Sequence, residues 1–182
     1  MQHVDAPHGV RQADFDRLIA AAYAIAWRER GESHLQAPKS IAAKFAAELK
    51  EFAPAETQFL TTKKAAGLGN WDLPALYALL DMTLGWADLA YYALCFYYIA
   101  CLEGAERNSS ESLWQRALSC RPHSPITLTT LKGVDAAVLK YERRAAGGGA
   151  TNEETERRLI VPLFPNAPIL VSGWNAWKET WE

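Results

Sequence analysis

Apolar positions recur at three- and four-residue intervals along most of this chain, the period of one face of an α-helix. From Asp14 to about Arg28 the positions Phe15, Leu18, Ile19, Ala22, Tyr23 and Ala26 keep that period, and Gly31 supplies a stop. Pro38 suits the first turn of a second helix, where its missing N–H costs nothing, and Ile41, Phe45, Leu49 and Phe52 continue along one face. Pro54 is expected to end that helix and open a shorter third. Gly67-Leu68-Gly69-Asn70 reads as a loop, after which Asp72 can cap a helix carrying Leu76, Leu79, Leu80 and Leu84, with Gly85 breaking or kinking it. The next segment, about Ala87 to Glu103, is apolar on nearly every side. That pattern predicts a helix at the centre of the packing, with Phe96 and Ala100 in the core and Gly104 as its cap.

Beyond it, Asn108 or Ser109 caps a helix through Leu113, Trp114, Ala117 and Leu118. Ser124 followed by Pro125 starts a long helix through Leu128, Leu131, Val138 and Leu139, which the run Gly147-Gly148-Gly149 terminates. Thr151 with Glu154 forms a capping box for a short helix to about Ile160. The run LIVPLF from Leu159 to Phe164 is short and contains a proline, so no strand is expected there. The last segment places Trp174, Trp177 and Trp181 on one helical stripe. The fold expected is all-α, a single helical domain over residues 1–182. It is either an irregular helical bundle or a short helix-turn-helix repeat array of eight or nine helices, with a flexible Gly-rich loop near 147–152 and a Trp-rich C-terminal segment, 168–182.

Composition narrows the function without naming it. Hydrophobic residues make up 49% and charged residues 22%, ordinary globular usage that argues against disorder over most of the length. Nineteen Lys and Arg stand against 21 Asp and Glu, so no global field drives the chain onto nucleic acid or anionic lipid. The longest uncharged central stretch, Leu89 to Leu102, is 14 residues, short of the roughly 20 a bilayer span requires, and no membrane insertion is expected. Cys95, Cys101 and Cys120 form no CxxC pair and are odd in number. Free buried thiols in a reducing intracellular compartment, cytoplasmic or organellar matrix, fit that usage. No basic cluster followed by an apolar run opens the chain, so a secretory signal is not expected.

The stretch from Tyr91 to Pro122 resembles one tetratricopeptide-type unit, or the looser half-repeat variants: an apolar helix is followed by SLWQRALSCRP, where Trp114, Ala117 and Pro122 fall at aromatic, small and proline positions. Tyr98 and Cys101 stand where that pattern has a small residue and an aromatic, and no second copy follows at the family's period. The resemblance implies protein or peptide binding.

Candidate chemistry is sparse. Asp81 and Asp88 are seven residues apart and would share a face if the helix ran on through Gly85; with Asp72 they are the acid–base candidates, or else caps and ion-pair partners. Lys63 and Lys64 precede a glycine loop but lack the order of a phosphate-binding loop. His3, His8, His34 and His123 are scattered, with no zinc-ligand spacing, and no cofactor is expected. Arg116, Arg121, Lys140, Arg143, Arg144, Arg157 and Arg158 could track an RNA backbone, although seven acidic residues interleave with the basic ones between Glu106 and Glu156. The stripe Trp174, Trp177 and Trp181 is the candidate protein-binding surface. The leading expectation is a non-enzymatic helical adaptor or accessory subunit that binds protein subunits of a larger assembly. The alternatives are an RNA-binding coat or nucleocapsid-like protein and a small enzyme with an Asp-lined helical pocket.

Overall fold

A computed structural model of the 182-residue chain describes residues 1–66, 73–120, 130–148 and 153–163. Its elements are α1 (Gln12–Arg30), α2 (Pro38–Ala66), α3 (Leu73–Leu102), α4 (Arg107–Ser110), α5 (Ser112–Ser119), α6 (Thr130–Ala145), α7 (Glu153–Ile160) and a 3-10 turn at Val161–Leu163. No strand occurs among the described residues, and LIVPLF is helix and 3-10 turn as far as Leu163. No helix among them is long and apolar enough to cross a membrane.

Two predicted breaks are absent. The second helix runs through Pro54, and the third through Gly85, so each pair of expected segments is one helix. Pro54 removes one N–H and frees the carbonyl of Lys50; both residues are exposed, so water can satisfy that oxygen. Phe52 and Phe59, on either side of the proline, are buried against α3, and that packing outweighs the local penalty of about 3 kcal/mol. A Cβ on Gly85 would lie 3.5 Å from the Phe52 ring, so the glycine marks where α2 and α3 approach closely and causes no break.

α3 is the hub, packed against α1, α2, α4, α5, α6 and α7. Its buried residues, including Leu79, Leu80, Met82, Trp86, Leu89, Ala93, Leu94 and Tyr97, surround most of the helix. One stripe is only half-buried: Asp81, Gly85, Asp88, Tyr92, Phe96 and Ile99, at spacings of three or four. Ala100 lies in the core as expected, but Phe96 belongs to this stripe and packs on the core's edge. An apolar side chain on every face left the stripe invisible in hydropathy alone.

α1 ends as its glycine requires. Gly31 adopts φ +66° and donates to Trp27 O at 2.9 Å, while Glu32 N–H reaches Ala26 O at 3.2 Å, so two carbonyls that the helix leaves open are bonded. α1 lies along α6 through Arg11 to Asp135 (3.0 Å), Arg17 to Glu142 (2.9 and 2.7 Å) and Arg144 to Glu29 (2.7 Å twice). Residue numbers rise together in these pairs, so the two helices run parallel.

The segment preceding α1 is fastened by aromatic donors. Tyr98 donates to Gln2 O (2.9 Å), Tyr97 to Asp5 O (3.0 Å) and the Trp114 indole to His8 O (3.1 Å). Trp114 and Ala117, which carry the repeat-type resemblance, are buried; Trp86 meets Trp114 edge-on at 6.0 Å and donates to Ala117 O at 3.0 Å. The helix before them is the second half of a 30-residue one. Pro122 lies outside the described residues.

Candidate functional site

The half-buried stripe of α3 opens into a cleft of about 600 Å³, walled by α2, α6, α7 and the C-terminal end of α1. Because α3 is continuous through Gly85, Asp81 and Asp88 do share this stripe, about two turns apart. Only Asp88 lines the cleft. Lys140 reaches its two oxygens at 2.9 and 3.1 Å, and the Tyr141 hydroxyl donates to it at 2.8 Å. Asp81 instead receives both prongs of Arg157 at 2.9 and 3.0 Å, and the same guanidinium lies 4.7 Å over the Tyr77 ring. These two carboxylates therefore seat α6 and α7 on α3, the ion-pair role weighed against acid–base chemistry. Asp72 lies outside the described residues.

Tyr141 is held from the other side by ring stacking on Tyr91, with centroids 3.5 Å apart and planes 5° from parallel. Burial and then the Asp88 charge push the pKa of its hydroxyl well up, which keeps it in the neutral donor form. At the α1 wall Arg144 grips Glu29 with two bonds of 2.7 Å, which holds the Glu29 carboxyl below its ordinary range.

Glu48 of α2 is the perturbed acid of the cleft. Partial burial, then the charges of Asp88 and Glu51, raise its pKa to about 7, and Lys140 only partly offsets them. Sequence reasoning missed it, yet a signal was present: Ile41, Phe45, Glu48 and Phe52 follow 4-3-4 spacing, so a carboxylate occupies the apolar register of an amphipathic helix. Arg28 and Gly147 were likewise unconsidered as neighbours, because only the parallel docking of α1 on α6 brings them together.

The described basic residues considered for RNA are mostly held by carboxylates. Among those described, Lys140, Arg144 and Arg157 are engaged with Asp88, Glu29 and Asp81, and Arg158 stands 3.9 Å from Glu154. Arg143 lines the cleft, whereas Arg116 is exposed on α5. Arg121 and the stripe Trp174, Trp177 and Trp181 lie outside the described residues, as does the Thr151 side of the capping box. The glycine run begins as an ordered cap: Gly147 takes φ +88°, and the N–H groups of Gly147 and Gly148 donate to Arg144 O and Arg143 O at 3.0 and 3.1 Å. All three cysteines are free; Cys95 is buried and the others half-buried, and burial pushes the Cys95 thiol up to about 12, away from nucleophilic use.

Comparison with known proteins adds no relative: no family model, curated protein or solved structure matches the chain.

Proposed function

We propose that this chain is a non-enzymatic helical adaptor or accessory subunit that binds other proteins within a larger assembly. The observation that carries this reading is the mutual closure of its charged candidates. Asp81 and Asp88, the described acids considered for catalysis, and Lys140, Arg144 and Arg157, considered for RNA, are bonded to carboxylates, guanidiniums or an ammonium of neighbouring helices. Charges closed in this way stabilise a scaffold and leave little field for a polyanion. Trp27 supports a contact role, since it projects from α1 with 67% of its surface exposed. The repeat-type resemblance over residues 91–122 implies the same kind of partner. The surface assigned to the partner is the stripe Trp174, Trp177 and Trp181, in which the indoles follow helical spacing.

The test is affinity purification of the tagged chain from its own source, with and without nuclease. Defined protein subunits that co-purify in both arms support the adaptor. Loss of all partners after nuclease, together with RNA affinity that falls steeply with salt, would replace it with the RNA-binding coat reading. A turnover activity abolished by Glu48→Gln or Asp88→Asn would replace it with the enzyme reading.

A further inference from the structure

The cleft holds two cations that its ion pairs leave over. Arg28, from the end of α1, lies across Gly147, where a Cβ would run into its guanidinium. Arg143 lies against Gly148, its Cγ 2.9 Å and its Nε 3.1 Å from where a Cβ would sit. Two arginine side chains are thus laid over successive glycines on one wall of the same cleft. Among the described residues neither has a carboxylate partner, whereas Arg144 takes Glu29 and Lys140 takes Asp88 and, at 3.7 Å, Glu156. Cations in one cleft without a carboxylate partner favour an anion, which they hold with charge-assisted bonds.

Glu48, which lines the same cleft, has the opposite sign. Glu48 makes no hydrogen bond or ion pair within the described structure, and the charges that act on it are those of Asp88, Glu51 and Lys140, with no arginine among them. Neither guanidinium pairs with Glu48, and Tyr92 and the closed Arg144–Glu29 pair line the same cleft. A void of about 600 Å³ lined by two arginines and a carboxylate that have no partner among the described residues matches a small molecule carrying both charges.

We propose that the cleft between α1, α2, α3, α6 and α7 binds a small zwitterionic molecule, with its phosphate or carboxylate between Arg28 and Arg143 and its amine at Glu48. The glycines at 147 and 148 are part of the site, since their lack of side chains lets both arginines lie flat beside the ligand. Partner binding through the chain's outer surface neither requires nor excludes this ligand.

Titration calorimetry of the whole chain at about pH 8, where Glu48 is ionised, tests the assignment. The probes are O-phosphoethanolamine and β-alanine, with inorganic phosphate and ethanolamine as the separate halves. Expected is a zwitterion affinity at least about tenfold above either half. Tighter binding of O-phosphoethanolamine than of β-alanine identifies the acidic group as phosphate, and the opposite order as carboxylate. The double variant Arg28→Ala/Arg143→Ala should lose most of the affinity for the zwitterion and for its acidic half. Glu48→Gln should reduce the zwitterion to the affinity of its acidic half and leave that half unchanged. Arg28 is exposed and Arg143 and Glu48 are half-buried at the cleft wall, and circular dichroism verifies that the variants remain folded. Failure of both zwitterions to bind at millimolar concentration overturns the proposal, as does undiminished binding by the double arginine variant. Equal affinity for inorganic phosphate and O-phosphoethanolamine removes the amine subsite and with it the proposal as stated.

Discussion

The Tyr141 hydroxyl donates to Asp88 at 2.8 Å while the Lys140 ammonium stands 2.9 Å from the same carboxylate, so two successive residues of α6 bind one side chain of α3. Tyr141 also stacks on Tyr91. This one carboxylate fixes the register of the two helices that make the floor of the cleft.

Removing the hydroxyl alone separates its bond from the stack. Tyr141→Phe keeps the ring and loses a bond to a charged group, an expected cost of about 1.5–3 kcal/mol. Asp88→Ala should cost more, because it leaves the buried Tyr141 hydroxyl without this acceptor and Lys140 with only Glu156 at 3.7 Å. Urea unfolding of the two single variants and the double variant checks this; costs that simply add would show that the contact contributes little.

Glu48 gives stability a pH dependence whose sign follows from the direction of its shift. Its carboxyl holds a proton up to about 7 in the fold, against 4.5 ordinarily, so the folded state binds more protons than the unfolded chain across that interval. The contribution is fully present below the unfolded value and is lost as pH rises through the folded one. Melting temperature should therefore fall between about pH 5 and pH 8, and Glu48→Gln should flatten that fall and melt higher at the alkaline end. A wild-type curve unchanged by the substitution would locate the pH dependence elsewhere.

These sites show how far the pattern of residues could be read. Periodicity was enough for the helical class, for the α1 stop at Gly31 and for the cap at Gly147, because each depends on local geometry. Pro54 and Gly85 were read as breaks because their penalties are local, whereas the burial of Phe52 and Phe59 that overrides them is tertiary. The pairing of Asp81 with Arg157 joins residues 76 apart, and that of Asp88 with Lys140 joins residues 52 apart. Sequence offered the carboxylates and the cations separately, and only the docking of α6 and α7 decides which meet. Glu48 was legible as an acid in an apolar register, but its neighbour Asp88 was not.

The uninterrupted α2 makes Pro54→Ala informative. At an exposed position inside a real helix, alanine restores an N–H and removes the ring clash, so the variant should be more stable by roughly 1–3 kcal/mol. Were the helix to stop there, the change would be close to neutral. Thermal unfolding distinguishes the two.

Gly85 should respond to side-chain size with a change of sign. A methyl group would make ordinary contact with Phe52 at 3.5 Å and gain helix propensity, so Gly85→Ala is expected to stabilise by about 0.5–1 kcal/mol. Gly85→Leu has to displace the Phe52 ring from the interface of α2 and α3, at an expected cost of about 1–3 kcal/mol. If both variants melt alike, the two helices are not closely apposed at that point.

The proposed partner surface can be tested by truncation, because a tryptophan stripe at this spacing can cover either the chain's own core or another protein. Trp174, Trp177 and Trp181 differ by three and four residues and so line one helical face. If they meet a partner, a chain ending at Val171 should keep its melting temperature and lose its place in the complex. If they seal the domain itself, the same truncation should lower the melting temperature before any loss of association. Buried tryptophan anchors commonly contribute about 2 kcal/mol or more, so alanine at one of them should weaken association roughly thirtyfold. Assembly retained after replacement of all three would shift the partner surface to Trp27, whose exposed indole on α1 is the next candidate, and Trp27→Ala would then carry the loss.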